Sequence, residues 1–272
     1  MIEYIFLYVL AGIWILFAVI QDMRTREVAN WLTYSLIAFV LAYRAFYAIA
    51  FDDAMFFVFG LFGVGIFIGL GFLFYYAKVF AGGDAKLLMG LGGILPFEKY
   101  FDLVYLGVSY IFLLFAAGIV WTLIFSVYLL NKKGNWKKFK REFGKEFKKS
   151  GKYVIGFFVI VLVLLVFVLF KGFNHLLILF LIVLLLLPLL WIYAKSLERS
   201  CMIVWKSVGE LTVGDWLEKE VKIGKGVIKK SVHGLSLKDI AVLKKANKKV
   251  LIKEGVPFTP AFLIAWAFGL FI

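Results

Sequence analysis

The chain has 272 residues, of which 64% are hydrophobic, well above the roughly 45–50% that is usual in soluble domains. Its formal net charge of +14 comes from 31 Lys and Arg against 17 Asp and Glu, and the cations lie mainly between the apolar runs. This composition excludes an ordinary soluble domain and predicts an all-α polytopic membrane protein. The presence of one cysteine, Cys201, excludes disulfide frameworks and Cys-rich zinc sites.

Eight apolar segments follow one another along the chain and predict about eight transmembrane helices. They are 2–20, 31–51, 54–77, 85–95, 101–130, 153–170, 176–194 and 258–272. Seven are long enough to cross a bilayer, whereas the fourth is short. The first lacks the basic residues that precede a cleavable signal, so we expect it to remain as a membrane helix. Gly65 and Gly69, four residues apart in the third segment, predict close helix packing.

The basic residues predict the topology. If all eight segments cross and the N-terminus lies outside, the basic connection 131–152 and the polar stretch 195–257 both lie in the cytoplasm, as the positive-inside bias favours. If the short segment 85–95 did not cross, both would move outside. We therefore expect a multi-pass protein of the cell membrane whose short helix crosses a thinned bilayer or is shielded by its neighbours.

The stretch 195–257 is the largest polar part of the chain. Short alternating runs such as 221–223 and 249–253 indicate strands, and 236–246 indicates one helix. We expect a small, mainly β cytoplasmic subdomain. The surplus of basic residues is explained by anchoring against anionic headgroups of the lipid bilayer, so no nucleic-acid partner is predicted.

Two acidic residues are placed at the same membrane face by this topology. Asp22 ends the first helix and Asp84 begins the short fourth helix. Carboxylates at membrane depth are costly and are functional candidates by default. Two carboxyl groups brought together can activate water for peptide hydrolysis, with no metal or cofactor. The alternatives are that Asp22 only closes a helix in the headgroup region and that Asp84 is only an N-cap.

The surroundings of both aspartates resemble a known family. Residues 81–87, Ala-Gly-Gly-Asp-Ala-Lys-Leu, resemble the signature of the GxGD aspartyl proteases in their archaeal preflagellin and type IV prepilin peptidase form. Residues 22–33 resemble the first aspartate motif of that family, an Asp followed by a basic stretch and a helix start. Ala81 replaces the first Gly of the signature, and Ala29 stands where the family usually has Pro.

The resemblance implies that Asp22 and Asp84 are the catalytic pair of a membrane aspartyl endopeptidase. It would remove the short basic leader from membrane-inserted archaellin or pilin precursors at the cytoplasmic face. Residues expected to contact substrate or to let the backbone approach it are Gly82, Gly83, Lys86, Pro257 and Pro260. Lys86 could instead extend to lipid phosphate, and the two prolines could simply start the last helix.

The predicted domains follow from these segments. They are a catalytic transmembrane core at 1–130, a basic cytoplasmic loop at 131–152, an additional helical pair at 153–194, the soluble subdomain at 195–257 and a C-terminal transmembrane helix at 258–272. Two other functions stay open. The aspartates could form the proton relay of a transporter, or the chain could be a non-catalytic assembly factor that tolerates their replacement.

Overall fold

A computed structural model describes residues 2–77, 79–171, 175–224, 226–231 and 233–269. In this part of the chain the helices are α1 (Ile2–Thr25), α2 (Asn30–Phe51), α3 (Ala54–Tyr76), α4 (Gly82–Leu91), α5 (Tyr100–Lys133), α6 (Trp136–Lys171), α7 (His175–Leu197), α8 (Leu237–Lys245) and α9 (Thr259–Gly269). The strands are β1 (Ile203–Lys206), β2 (Trp216–Leu217), β3 (Val221–Ile223), β4 (Gly226–Ile228) and β5 (Val250–Lys253).

The helices indicate a multi-pass membrane protein. Among the described residues, five helices are long and apolar enough to cross a bilayer, namely α1, α2, α3, α5 and α6, and α9 is a shorter apolar helix. The expected span at 176–194 falls in α7, several of whose side chains lie outside the described residues, and the expected span at 258–272 extends beyond them. The expectation of about eight membrane helices therefore stays a prediction.

The chain divides into two compact units, Met1–Phe125 with Gly255–Ile272, and Ser126–Glu254. In the first unit, α1 packs against α2 and α9, while α4 packs against α2 and α3. Most side chains of α4 are buried, including Leu87, Leu88 and Leu91. The short helix is therefore shielded by protein, which explains how a ten-residue helix can lie among helices more than twice its length.

Glycines bring α3 and α4 into close contact. A Cβ on Gly63 would lie 2.2 Å from the Gly92 carbonyl oxygen, and a Cβ on Gly92 would lie 2.4 Å from the Gly63 carbonyl oxygen. The prediction for Gly65 and Gly69 was wrong, because a Cβ at either position would meet no described atom within 4 Å. The backbones approach at Gly63 because the side of α3 that carries it faces α4.

The second unit corrects one expectation. The basic segment 131–152 was expected to be a loop, but it is helical up to Lys133 and again from Trp136. Its exposed Lys residues and a Glu142–Lys145 pair at 3.0 Å favour a helix. Its buried side is fixed by Glu146, whose carboxylate forms ion pairs with Lys195 and Arg199 near the end of α7.

The expected strands and helix in the polar stretch are present. One sheet has the order β1-β5-β2 with antiparallel pairs, and β3 pairs with β4 as an antiparallel hairpin. The helix α8 begins with a capping box between Ser236 and Asp239. Its Ile240 and Leu243 pack with Val250 and Ile252 in a small core of their own. Residues 203–253 thus form a mainly β subdomain with one helix; its cytoplasmic location stays a prediction.

Candidate active site

Asp22 lies in the last turn of α1 and is nearly buried, with 7% of its surface exposed. Its Oδ2 accepts two hydrogen bonds from Thr259, one from the backbone N–H at 3.2 Å and one from the hydroxyl at 2.9 Å. Thr259 is the first residue of α9, so these bonds join the end of the first helix to the start of the last described one. Thr259 was not among the residues predicted from the sequence.

The backbone around Asp22 is fixed by Arg26. This residue adopts a left-handed conformation with φ 62°, and its N–H donates to the Asp22 carbonyl oxygen at 2.9 Å, which ends α1. A non-glycine residue in this region costs roughly 1–2 kcal/mol. The Arg26 guanidinium donates to the Gly255 carbonyl oxygen and lies 5.6 Å from the centre of the Phe125 ring, contacts that hold this conformation. A cation is thereby placed one turn from the Asp22 carboxylate.

Asp84 lies in the first turn of α4 and is 8% exposed. The N-cap position is Ala81, whose side chain cannot accept a hydrogen bond, and the Asp84 carboxylate interacts with the Ala81 backbone N–H. Asp84 is therefore not at the N-cap position itself, although its carboxylate satisfies an N–H group at the start of this helix. A carboxylate at this position is favoured by the partial positive charge of the helix N-terminus.

The structure places the two carboxyl groups within range of electrostatic interaction although 61 residues separate them in the sequence. Both side chains are buried in the first unit, and the Asp22 carboxylate lies close enough to exert electrostatic repulsion on Asp84. Two such neighbours favour a state in which one carboxyl is ionised and the other keeps its proton. This state can take a proton from water at one group and donate a proton at the other.

The two glycines before Asp84 have different surroundings. A Cβ on Gly83 would lie 3.0 Å from Cβ of Val28, in the connection between α1 and α2. A Cβ on Gly82 would lie 3.7 Å from the nearest side-chain atom, in Tyr75, which is an ordinary contact. Gly83 thus allows α4 to pack closely against the α1–α2 connection. The expected role of both glycines in approaching a substrate stays a proposal.

Substituting Ala at these glycines should separate the two cases. Gly83→Ala is expected to lower the free energy of unfolding by about 1 kcal/mol or more, because the added methyl overpacks against Val28. Gly82→Ala, the matched control, should leave stability within about 0.5 kcal/mol. Thermal unfolding in detergent measures both. The double variant Gly83→Ala/Val28→Ala should recover stability relative to Val28→Ala alone; if it does not, the Val28 contact is not the cause.

Lys86 lies on the side of α4 that faces the start of α2. Its ammonium donates to the Asn30 side-chain carbonyl oxygen and lies 5.9 Å from the centre of the Tyr34 ring. These contacts hold the first turns of α4 and α2 together. Lys86 thus lies two residues after Asp84 on the same helix. Its predicted contact with substrate stays a proposal.

Pro257 and Pro260 flank the start of α9. The Pro257 carbonyl oxygen accepts a hydrogen bond from Trp121 Nε1 at 2.8 Å. Pro260 is buried in the first turn of α9, where a missing N–H costs no helical hydrogen bond. Together they place Thr259, which lies between them, beside Asp22. The Pro-Phe-Thr-Pro sequence is the signal that marks Thr259, since its two prolines fix where the helix begins.

No group of three or more His, Cys, Asp or Glu side chains that could hold a metal ion occurs among the described residues. A dyad of carboxyl groups reacts without such a group, because both proton transfers are made by the side chains themselves. The expectation of no metal and no cofactor stays a prediction.

Comparisons with known proteins give one family and two relatives. Residues 9–131 match the type IV leader peptidase family, and this matched segment includes both Asp22 and Asp84. The chain is 30% identical over 89 residues to a preflagellin peptidase of Methanocaldococcus jannaschii and 27% identical over 89 residues to one of Methanococcus maripaludis. Each alignment covers 33% of this chain and 38% of the relative. No solved structure gives a significant match. Residues 9–131 of this chain are thus similar to the type IV leader peptidase family.

Proposed function

We propose that this chain is an aspartyl endopeptidase of the cell membrane that removes the short basic leader from archaellin- or pilin-type precursors. The observation that carries the proposal is the pair of buried carboxyl groups of Asp22 and Asp84, which interact across two helices. The family match over residues 9–131 and the two preflagellin peptidase relatives support leader cleavage as the reaction.

We assign different roles to the two carboxyl groups. Thr259 donates two hydrogen bonds to one oxygen of Asp22, and the Arg26 cation lies one turn away, so Asp22 has partners that favour an ionised carboxylate. Asp22 is then the base that takes a proton from the attacking water. Asp84, protonated beside it, donates a proton to the carbonyl oxygen of the scissile bond as the water oxygen bonds to the carbonyl carbon. The C–N bond of this tetrahedral intermediate then breaks as Asp22 passes the proton it took from water to the leaving amine nitrogen, and Asp84 takes a proton back from the hydroxyl that becomes part of the new carboxyl group.

The site lies where a leader peptide would be cut. With the N-terminus outside, α1 ends and α4 begins at the cytoplasmic face, and a precursor helix would present its basic leader there. The catalytic core would comprise residues 1–130 and the last helix, 258–272, which supplies Thr259. Residues 131–152 and 153–194 would be an added anchor next to anionic lipid headgroups, and 195–257 a cytoplasmic subdomain.

Cleavage of a purified precursor tests the proposal directly. The protein in detergent is mixed with a full-length archaellin precursor, and the product is identified by its mass and its new N-terminal residue. We expect one new N-terminus immediately before the hydrophobic segment, and no change in mature archaellin that lacks the leader. A pilin precursor, tested in parallel, decides between the two substrate classes.

The competing reading is a proton relay, which the same protein can be used to test. Reconstituted in vesicles under a pH gradient, the protein should not change the rate of proton leakage if it is a peptidase. If both precursors stay intact in the cleavage assay and the vesicles show proton flux that needs Asp22 and Asp84, the transporter replaces the peptidase proposal. If the precursor stays intact and no proton flux is observed, the non-catalytic assembly factor becomes the remaining hypothesis.

Thr259 offers a test of the assigned roles. Thr259→Val keeps the shape and the backbone donor but removes the hydroxyl donor to Asp22, and is expected to lower kcat about tenfold with little change in KM. Thr259→Ser keeps the hydroxyl and should stay within about threefold of wild type. Steady-state kinetics on the archaellin precursor measure both. Equal rates for the Val and Ser variants would remove Thr259 from the mechanism.

A further inference from the structure

Arg44 is a fully buried cation in the second helix. It lies in α2 with 0% of its surface exposed, although α2 is long and apolar enough to cross a bilayer. Its guanidinium donates to three main-chain carbonyl oxygens, from Nε to Gly93 at 2.7 Å, from Nη1 to Phe56 at 2.6 Å and from Nη2 to Leu95 at 2.9 Å. A buried charge at membrane depth is costly enough to indicate a specific role.

Two of these carbonyl groups belong to the turn that follows α4. This helix has ten residues, a length of about 15 Å, which is about half of a hydrocarbon core of roughly 30 Å. The turn that follows it therefore lies in the protein interior, where water cannot satisfy its carbonyl groups. Arg44 supplies the donors, and its charge complements the negative end of the helix dipole.

The surroundings of Arg44 are shaped to hold it. A Cβ on Gly60 would lie 2.1 Å from Cδ of Arg44, so the absence of a side chain there provides the space for the arginine. The guanidinium carbon lies 4.5 Å from the centre of the Phe56 ring and 5.4 Å from that of Tyr4, within the range of cation–π contacts. The guanidinium is thus held from α1, α3 and the end of α4 at once.

We propose that Arg44 is a positioning residue, which fixes α4 along its axis and thereby holds Asp84 opposite Asp22. Asp84 is in the first turn of α4, and the bonded carbonyl groups follow its last turn. A helix of this length moves as a rigid rod, so a shift at one end displaces the carboxyl group at the other. This inference rests on the proposed peptidase function only for its kinetic test.

Kinetics of Arg44 variants provide the first test. Arg44→Met fills a similar volume without donors and is expected to lower kcat for the archaellin precursor at least tenfold, with KM within about twofold, because a misplacement of about 1 Å can cost about 10²-fold in rate. Arg44→Lys keeps the charge but not the fork of donors, and should lie between Met and wild type. Arg141→Met, at an exposed arginine of α6, is the matched control and should keep the wild-type rate.

A cross-link measures the position of α4 without reference to activity. Cysteines are placed at Val28 and Gly83, whose Cβ atoms would lie 3.0 Å apart, with Cys201→Ser as background. Disulfides form when the Cβ atoms are about 3.5–4.5 Å apart, so a small adjustment suffices. We expect rapid disulfide formation with Arg44 present, and a rate at least fivefold lower after Arg44→Met. The Arg141→Met change should leave the rate unaltered.

The outcomes distinguish this inference from the proposed function. Slower cross-linking and lower kcat in the Arg44 variants support the positioning role. Unchanged cross-linking in Arg44→Met overturns it, whatever the kinetics show. If wild type cleaves no precursor but Arg44→Met still slows cross-linking, the positioning role stands and the peptidase proposal fails. If Arg44→Met does not fold, cross-linking and kcat are compared between Arg44→Lys and wild type instead. Values unchanged from wild type would again overturn the inference.

Discussion

Replacing either Asp22 or Asp84 by Asn is expected to lower the rate of leader cleavage by about 10²–10⁴-fold, the usual contribution of a positioned acid or base. Asn keeps the size of either side chain but cannot exchange a proton, and at position 22 its amide oxygen can still accept the hydrogen bonds from Thr259. The two residues act as one unit, so the double variant should be no slower than the slower single variant. Single-turnover cleavage of the archaellin precursor measures all three rates.

Two controls separate chemistry from folding in this experiment. Asp52→Asn changes an exposed aspartate with φ 54°, a left-handed conformation that Asn also adopts readily, and should cleave at the wild-type rate. Asp84→Asn replaces a protonated carboxyl group by a neutral amide of similar size, so it should be about as stable as wild type to heating. Cleavage that survives in either active-site variant would falsify the aspartyl mechanism.

The approach of Asp22 and Asp84 could be predicted from the sequence because each lies at the end of an apolar segment. The lengths of these segments and the placement of Lys and Arg predict which ends share a membrane face. The nearby Gly-Asp and Asp-basic motifs then single out two carboxyl groups among 17 acidic residues. Local sequence carries this information, so the candidate pair needed no knowledge of helix packing.

The partners of these groups could not be predicted in the same way. Thr259 bonds to a residue 237 positions away, and Arg44 bonds to carbonyl groups 49 and 51 positions away. Such contacts depend on how the helices rotate about their axes, which apolar helices with little amphipathic pattern do not reveal. Of these two residues, only Arg44 is marked in the sequence as unusual, because it is a charged residue inside a predicted membrane span.

The basic segment 131–152 was predicted to be a loop, but most of it is helical. Its charges correctly separate two apolar runs, but they do not prevent a helix, because Lys, Arg and Glu are good helix formers. The buried Glu146 and Phe139 recur on one side of α6, and this spacing is the helical signal that the density of charge obscured. A change in hydropathy thus predicts the end of an apolar stretch better than it predicts the end of a helix.

The packing of α3 against α4 leads to the second large expected effect, a loss of stability in Gly63→Ala. The new Cβ would lie 2.2 Å from the Gly92 carbonyl oxygen and 2.7 Å from the Phe97 ring. The first of these is a backbone atom, so α3 and α4 must move apart. We expect a loss of about 3 kcal/mol, at the upper end of overpacking costs, and a melting temperature lower by about 6–12 °C in detergent.

Gly65→Ala is the matched control, two residues away on the same helix. Its Cβ would meet no described atom within 4 Å, so the melting temperature should change by less than about 2 °C. Because α4 carries Asp84, a shift of this helix should also displace the carboxyl group. Folded Gly63→Ala protein should therefore cleave the leader more slowly than wild type, even well below its melting temperature. Equal melting temperatures for the two variants would mean that α3 and α4 do not approach closely at Gly63. The buried location of α4, the helix that carries Asp84, would then also be wrong.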